Sequence, residues 1–490
     1  MAATHRIMQP PLSHSVTMMR RSKILALSML ALAALALLVT AAAIILVRAT
    51  AKPRVEALAS KALGMEVSVG GRVTVGFLPR LHITLADVHV RTCGADLASA
   101  GEVDLGMEFL PLLHQEVQIE KLALKRLTIS LQRNGDGKLN VDRSCQTAAI
   151  LPASAVPSVV VSDGRLVYAD QQTGQRVEAT DCKLDDGRLL LSSGASSDVL
   201  KNLSVAAKFT CVKIQTKDFT ASDLRLSVDG KGGIVDFDPV TLRLFGGHGS
   251  GNVRADFSGA EPHYRVRFGL VQFRIDEFFK SLSAKNIGNG SLDFSADLSL
   301  RGKTTAALVR TMAGEASLHG ANLNLNIGDV DKQYSRFEDS QRFNLVDVGA
   351  FFFAGPLGLA VTKGYDFVRV FQGTEGTTTV RTLVSEWTIE HGVAQAKDVA
   401  MATQKNRIVL RGGLDFVTEH YDEVTVALVD ARGCLEVQQK VTGSFLSPKA
   451  EPPNVVKSFA GPTRHILGQV RNLLGGKCTV FYAGSVAPPK

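Results

Sequence analysis

The chain has 490 residues, more than one ordinary domain needs, so its length fits roughly two to four units or one elongated repetitive one. Hydrophobic residues supply 45% and charged residues 21%, a balance that excludes wholesale disorder. The formal charge is +8, but the basic residues are scattered without aromatic interleaving, which argues against nucleic acid as a partner and leaves a mild attraction to anionic lipid surfaces.

In chain order, residues 1–23 read as a short cytoplasmic tail, and Ile24 to Val47 form an uncharged run long enough to span the hydrocarbon core as a helix. A cleaved signal peptide is the rival reading, with Ala49-Thr50-Ala51 as its cleavage site, but the run exceeds the usual length of a signal core. Basic residues flank it on both sides, so the positive-inside rule barely sets its orientation. An uncleaved anchor with everything after Arg48 exported is the simpler arrangement.

After a short helical stretch, "KPRVEALASKALG", the period changes to two. Val67 and Val69, then Val73, Val75 and Phe77, then Leu81, Ile83 and Leu85 share one face if Gly70-Gly71 and Pro79-Arg80 are turns. Val88 and Val90 follow after a one-residue phase slip at Ala86-Asp87, which predicts a bulge. The grammar returns at Leu122, Leu124, Leu127, Ile129 and Leu131, completing a unit over 52–149. A Pro, Ala and Ser-rich stretch, Ile150 to Ser158, reads as a boundary.

Short alternating segments punctuated by Gly and Asp then fill 159–328, with helical interruptions at Asp276 to Ser283 and Thr305 to Gly314. Residues 329–450 resume the strands, and 451–490 read as an amphipathic helix followed by a last strand. The fold class expected is mainly β: a transmembrane helix, then an elongated, curved antiparallel sheet with a few short helices. "DVGAFFFAGPLGLAV" is the most apolar stretch outside the anchor. It is either a buried element covering the sheet end or a loop dipping into a membrane through Phe351, Phe352, Phe353, Leu357 and Leu359.

Motifs for chemistry fail on inspection. "NGDGKLNVD" lacks the Gly and Glu of a calcium loop and reads as a hairpin turn. "GGKC" lacks the Ser or Thr of a phosphate loop, and "GGHGSG" lacks the spacing of a nucleophile elbow and reads as a Gly-rich turn. The histidines form no metal pair and the six cysteines no CxxC, so no metal site, no cofactor and no enzymatic activity are expected. An even cysteine count permits disulfides in an exported chain. Cys434 with Cys478, in the same C-terminal segment, is the pair expected.

"ALGMEVSVGGRVTVGFLPRLHITLADVHV" followed by "FLPLLHQEVQIEKLALKRLTISLQRNGDGKLNVD" resembles the AsmA-like family of Gram-negative envelope proteins. "LFGGHGSGNVRADFSGAEPHYRVRFGLVQFRIDEFFKSL" and "VTGSFLSPKAEPPNVV" resemble that family's C-terminal grammar and closing segment. The resemblance implies a single-pass inner-membrane anchor carrying a periplasmic β-groove, with phospholipid as its partner and outer-membrane assembly as its context. The groove wall would comprise Val67, Val69, Val73, Val75, Phe77, Leu81, Ile83, Leu85, Leu122, Leu124, Leu127, Ile129 and Leu131. The alternative is a scaffold or chaperone with a dry core that contacts outer-membrane assembly factors. The chain is much shorter than the large bridge-like members, so crossing a periplasm alone is not implied.

Overall fold

The computed structural model describes residues 52–57, 59–61, 65–76, 81–92, 94–107, 119–136, 139–140, 154–191, 203–282, 288–326, 328–332, 334, 376–445, 447–452, 454–455 and 480–489. The expected anchor at 24–47, Phe77, Pro79-Arg80, the Phe351 to Leu359 group, Cys478 and the expected C-terminal helix lie outside them. Among the described residues no helix is long and apolar enough to cross a membrane.

The chain is mainly β, and the strands of the described residues join in one 22-stranded sheet. They are β1 (Glu66–Val69), β2 (Val73–Gly76), β3 (His82–Thr92), β4 (Ala95–Met107), β5 (Ile119–Arg133), β6 (Ser154–Asp170), β7 (Arg176–Leu191) and β8 (Leu203–Thr216). Next come β9 (Thr220–Lys231), β10 (Ile234–Leu244), β11 (Gly247–Asp256), β12 (His263–Arg274), β13 (Gly288–Asn289), β14 (Ser291–Arg301) and β15 (Ala313–Leu325). The last are β16 (Thr378–Glu390), β17 (Val393–Ala402), β18 (Arg407–Asp415), β19 (His420–Val429), β20 (Leu435–Ser444), β21 (Ser447–Ala450) and β22 (Asn454–Val455). Helices α1 (Ile275–Leu282) and α2 (Thr305–Thr311) stand where the sequence places its interruptions.

Pairing follows chain order and is antiparallel with one exception, the parallel pair β5–β6. A parallel neighbour needs a long return connection, and residues 134–153 supply it. That connection begins with the expected hairpin turn, closed by the Asn140 N–H donating to the Gln132 carbonyl at 2.8 Å. The sheet therefore continues from β5 to β6, with their pairing beginning at Ser158.

Gly70-Gly71 is not the hairpin turn expected. β1 and β2 lie end to end along β3, Val69 opposite Val88 and Val73 opposite Leu85. The glycines instead bridge a gap in one edge strand: Gly70 N–H donates to Asp87 O at 2.7 Å and Gly71 N–H to Ala86 O at 3.0 Å. A Cβ on Gly71 would stand 2.7 Å from the Ala86 carbonyl, so only glycine lets the two backbones approach this closely. Val67, Val69, Val73, Ile83 and Leu85 still share a face, clustered with Val55 and Ala59 of the helical residues 52–61. That segment also covers the edge, since Ser60 Oγ and Glu56 Oε1 accept from the Val67 and Val69 N–H groups at 2.9 and 2.7 Å.

The phase slip predicted at Ala86-Asp87 is real, and it recurs. Asp87 adopts φ 57°, and Arg126, Asp163, Asp181 and Asp223 adopt φ 53–55° on β5, β6, β7 and β9. In each strand the left-handed residue sits where two consecutive inward apolar positions are three residues apart rather than two, as in Leu85 and Val88 or Val161 and Gly164. Aspartate tolerates this conformation, and such kinks bend strands without moving their apolar side chains to the other face. An open sheet this wide coils to accommodate its twist.

From β12 onward much of the inward face is sealed. Phe273, Ile275, Phe278 and Phe279 on β12 and α1 pack with Leu323, Leu383, Met401, Ile408 and Val424 in one cluster at 0–1% exposure. β16 to β19 are covered on the other face as well, where Phe481, Tyr482 and Val486 pack against Ala400, Ala402, Val409 and Val429. The last strand expected there is instead an irregular segment touching the sheet by a single bridge, Cys434 to Val480. Side-chain bonds hold it in place of a ladder: Tyr482 OH donates to Asp398 Oδ1 at 2.6 Å, and buried Arg407 donates to Val486 O at 3.0 Å.

Candidate functional site

Cross-strand partners in a sheet point to the same face, so the registers can be read across the whole molecule. One line of partners begins Val73, Leu85, Val103, Leu124, Val161 on β2 to β6. It continues through Leu184, Phe209, Leu226 and Val240 on β7 to β10. It then passes Gly251, Phe268, Ala296 and Ala316 and reaches Trp387, the only tryptophan of the chain. No member carries a polar side chain other than the indole N–H, which donates to Ser385 Oγ at 2.8 Å.

A second line runs beside it: Val67, Val90, Ala98, Ile129, Leu166, then Ala179, Ile214, Ala221, Leu244 and Gly247. Between the two lie Leu127 and the disulfide Cys182–Cys211, whose sulfurs join β7 to β8 on the apolar side. The disulfide is buried with Ala179 among Leu166, Phe209, Ile214 and Leu224.

The first line is apolar yet not covered. From Val73 to Ala296 every member except Leu85 is half-buried, in contrast with the sealed cluster beyond. The opposite face carries exposed ion pairs across neighbouring strands, Lys125 with Glu102 at 2.7 Å, Arg165 with Glu178 at 2.6 Å and Arg267 with Asp297 at 2.9 Å. Pairs of this kind add little stability but keep that face wet. One side of the sheet is therefore continuously greasy and partly open while the other is charged.

Of the wall residues expected from the sequence, Val67, Val69, Leu81 and Leu85 are buried and Val73, Val75, Ile83, Leu122, Leu124, Leu127, Ile129 and Leu131 are half-buried. Register unites them: Val75 faces Ile83, Ile83 faces Leu105, Leu105 faces Leu122, and Leu131 faces Tyr168. Sequence reading missed the continuation over β6 to β10, which carries Val161, Leu184, Phe209, Leu226 and Val240. The same alternation marks those strands, but pairing partners are set by register. It also missed the Cys182–Cys211 bridge, although both cysteines stand on the apolar phase of successive strands. Cys434 is disulfide-bonded, and its expected partner Cys478 lies outside the described residues.

The chain is thus a single large β-sheet with one continuous apolar face. A family model, the AsmA family, matches residues 18–202 and 169–335, and the chain belongs to the AsmA family. The matched spans cover the second apolar line and the first as far as Ala316 and end before β16, so Trp387 and the closing segment likened to the family lie beyond them. Searches of curated proteins and of solved structures found no match.

Proposed function

We propose that this protein is a membrane-anchored periplasmic protein that binds or conducts phospholipid along its apolar face and thereby supports outer-membrane assembly. The observation that carries the reading is the half-buried apolar line from Val73 to Ala296, which crosses the sheet without one charged or hydrogen-bonding side chain. Such a surface offers acyl chains about 0.8 kcal/mol for each methylene taken out of water, and it needs no single indispensable residue. Head groups stay at the rim, in water. The kinked strands and the width of the sheet favour a curved trough over a flat wall. AsmA family membership and the uncharged run Ile24 to Val47 support a reading in which the open face lies beside an inner-membrane anchor.

The sealed cluster of β12 to β20 favours a second role for the C-terminal part, as a rigid platform for outer-membrane assembly factors. The lipid reading is tested by purifying the full chain in mild detergent and identifying co-purifying phospholipid by mass spectrometry. Phospholipid bound to the native chain and lost from Phe209→Asp supports it. A lipid-free native chain, or retention unaffected by Phe209→Asp, leaves only the platform.

A further inference from the structure

We propose that the apolar face is a blind groove, closed between β11 and β16, so that acyl chains are held on β2 to β10 and leave by the stretch through which they enter. This rests on the lipid reading above. From β2 to β10 the face spans roughly 40 Å at about 4.8 Å per strand. One leaflet of a bilayer is about 15 Å of hydrocarbon, so this stretch takes about two acyl chains end to end.

At β11 the surface changes character. The "GGHGSG" stretch places Gly247, Gly249 and Gly251 at alternate positions, all on the apolar face. A Cβ at Gly249 would stand 2.7 Å from Phe268 Cζ and 3.1 Å from Leu242 Cδ1, so these neighbouring side chains lie down over bare backbone. A Cβ at Gly247 would meet Phe273 Cα at 2.8 Å, which makes glycine the residue that lets β12 close onto β11. The closure is aromatic. Phe245 in the β10–β11 turn packs edge-on against Phe278 of α1 at 5.3 Å, and Phe278 against Phe273 at 5.9 Å.

Behind this seal exposure drops sharply: Leu270 is 2% exposed, Phe273 0%, Ala316 3% and Trp387 3%. An acyl chain following the open line reaches Ala296 and then meets buried Ala316 and Trp387, where the described residues form a packed interior. β12 to β20 therefore terminate the groove, and the protein holds lipid tails without threading them to its C-terminal end.

The test reads tryptophan emission in the full chain, purified in unbrominated detergent and given stoichiometric phosphatidylcholine with brominated acyl chains, which quench indole on contact. Native Trp387 reports the wall. In a Trp387→Phe background, Phe209→Trp reports the open line and Phe445→Trp the packed interior, where Phe445 is 4% exposed within the core cluster. Each substitution exchanges aromatic rings, and circular dichroism checks that the sheet is kept. The blind groove predicts that Phe209→Trp loses most of its emission, Trp387 much less and Phe445→Trp none. Equal quenching at all three overturns the closure and makes the face a through passage. No quenching even at Phe209→Trp refutes lipid binding itself. Should a variant fail to fold, native Trp387 alone decides: strong quenching by chains brominated near the head group contradicts a wall at the tail end.

Discussion

Two phenylalanines on the same face of the same sheet should respond very differently to truncation. Phe273 is fully buried among Leu292, Phe278 and Phe279, so Phe273→Ala leaves a closed cavity and costs about 3–5 kcal/mol. Phe209 is half-buried on the open line, where part of its ring is already wet and truncation encloses no void. The buried share of a transfer term of about 1.5–3 kcal/mol puts Phe209→Ala at about 1–2 kcal/mol. Urea unfolding of the solubilised full chain, followed by Trp387 emission and by circular dichroism, measures both, because Trp387 belongs to the sealed cluster. The account expects a large midpoint shift for Phe273→Ala and a small one for Phe209→Ala, with lipid retention weakened only in the latter. Equal costs would refute the distinction between an open line and a sealed core.

Three further outcomes follow from single features. Replacing Cys182 and Cys211 by Ser releases a cross-link spanning 29 residues and should cost about 3 kcal/mol, read as a lower denaturation midpoint. Asp163→Val should cost about 1–2 kcal/mol, because a β-branched residue disfavours the left-handed conformation held at φ 53°, whereas Asp163→Gly should be neutral or stabilising in the same assay. Burial pushes the Asp398 carboxyl up, but hydrogen bonds from Ser485 and Tyr482 outweigh it and hold it below the ordinary carboxylate range. Its contribution is therefore complete at neutral pH and above the unfolded value near 4, and is lost as pH falls through the lowered folded value. Protection factors for hydrogen exchange at 480–489, taken relative to the intrinsic rate at each pH, should fall on acidification in that window, and Asp398→Asn should show the low protection already at neutral pH.

The sequence makes the strands and their inward residues legible because a half-buried strand must alternate, and Val67 to Leu85 does so without exception, Leu122 to Leu131 with one slip at Arg126. The kink at Asp87 is legible for the same reason: one polar residue too many between Leu85 and Val88 can only be a slip. Register is not. Gly70-Gly71 has the composition of a hairpin turn, and only the pairing of both flanking segments with β3 shows it to be a gap in one strand. The parallel step β5–β6 depends on where a long return connection lands, which no local pattern records. The glycines of β11 read as a turn in isolation; what they do is set by Phe268 and Phe273 of the next strand, which lie against them. The C-terminal segment reads as a strand because Val480 to Tyr482 are β-formers, but Tyr482, Asp398 and Arg407 pin it by side chains far apart in the chain.

The most direct test of the central claim is photo-crosslinking in living cells with a benzophenone amino acid placed at neighbouring positions on opposite faces. Leu124 and Phe209 lie on the apolar line, while Lys125 and Lys208 beside them are exposed on the charged face. The account predicts phospholipid adducts, identified by mass spectrometry, at Leu124 and Phe209 and none at Lys125 and Lys208. Adducts at both faces alike, or at neither, would contradict it.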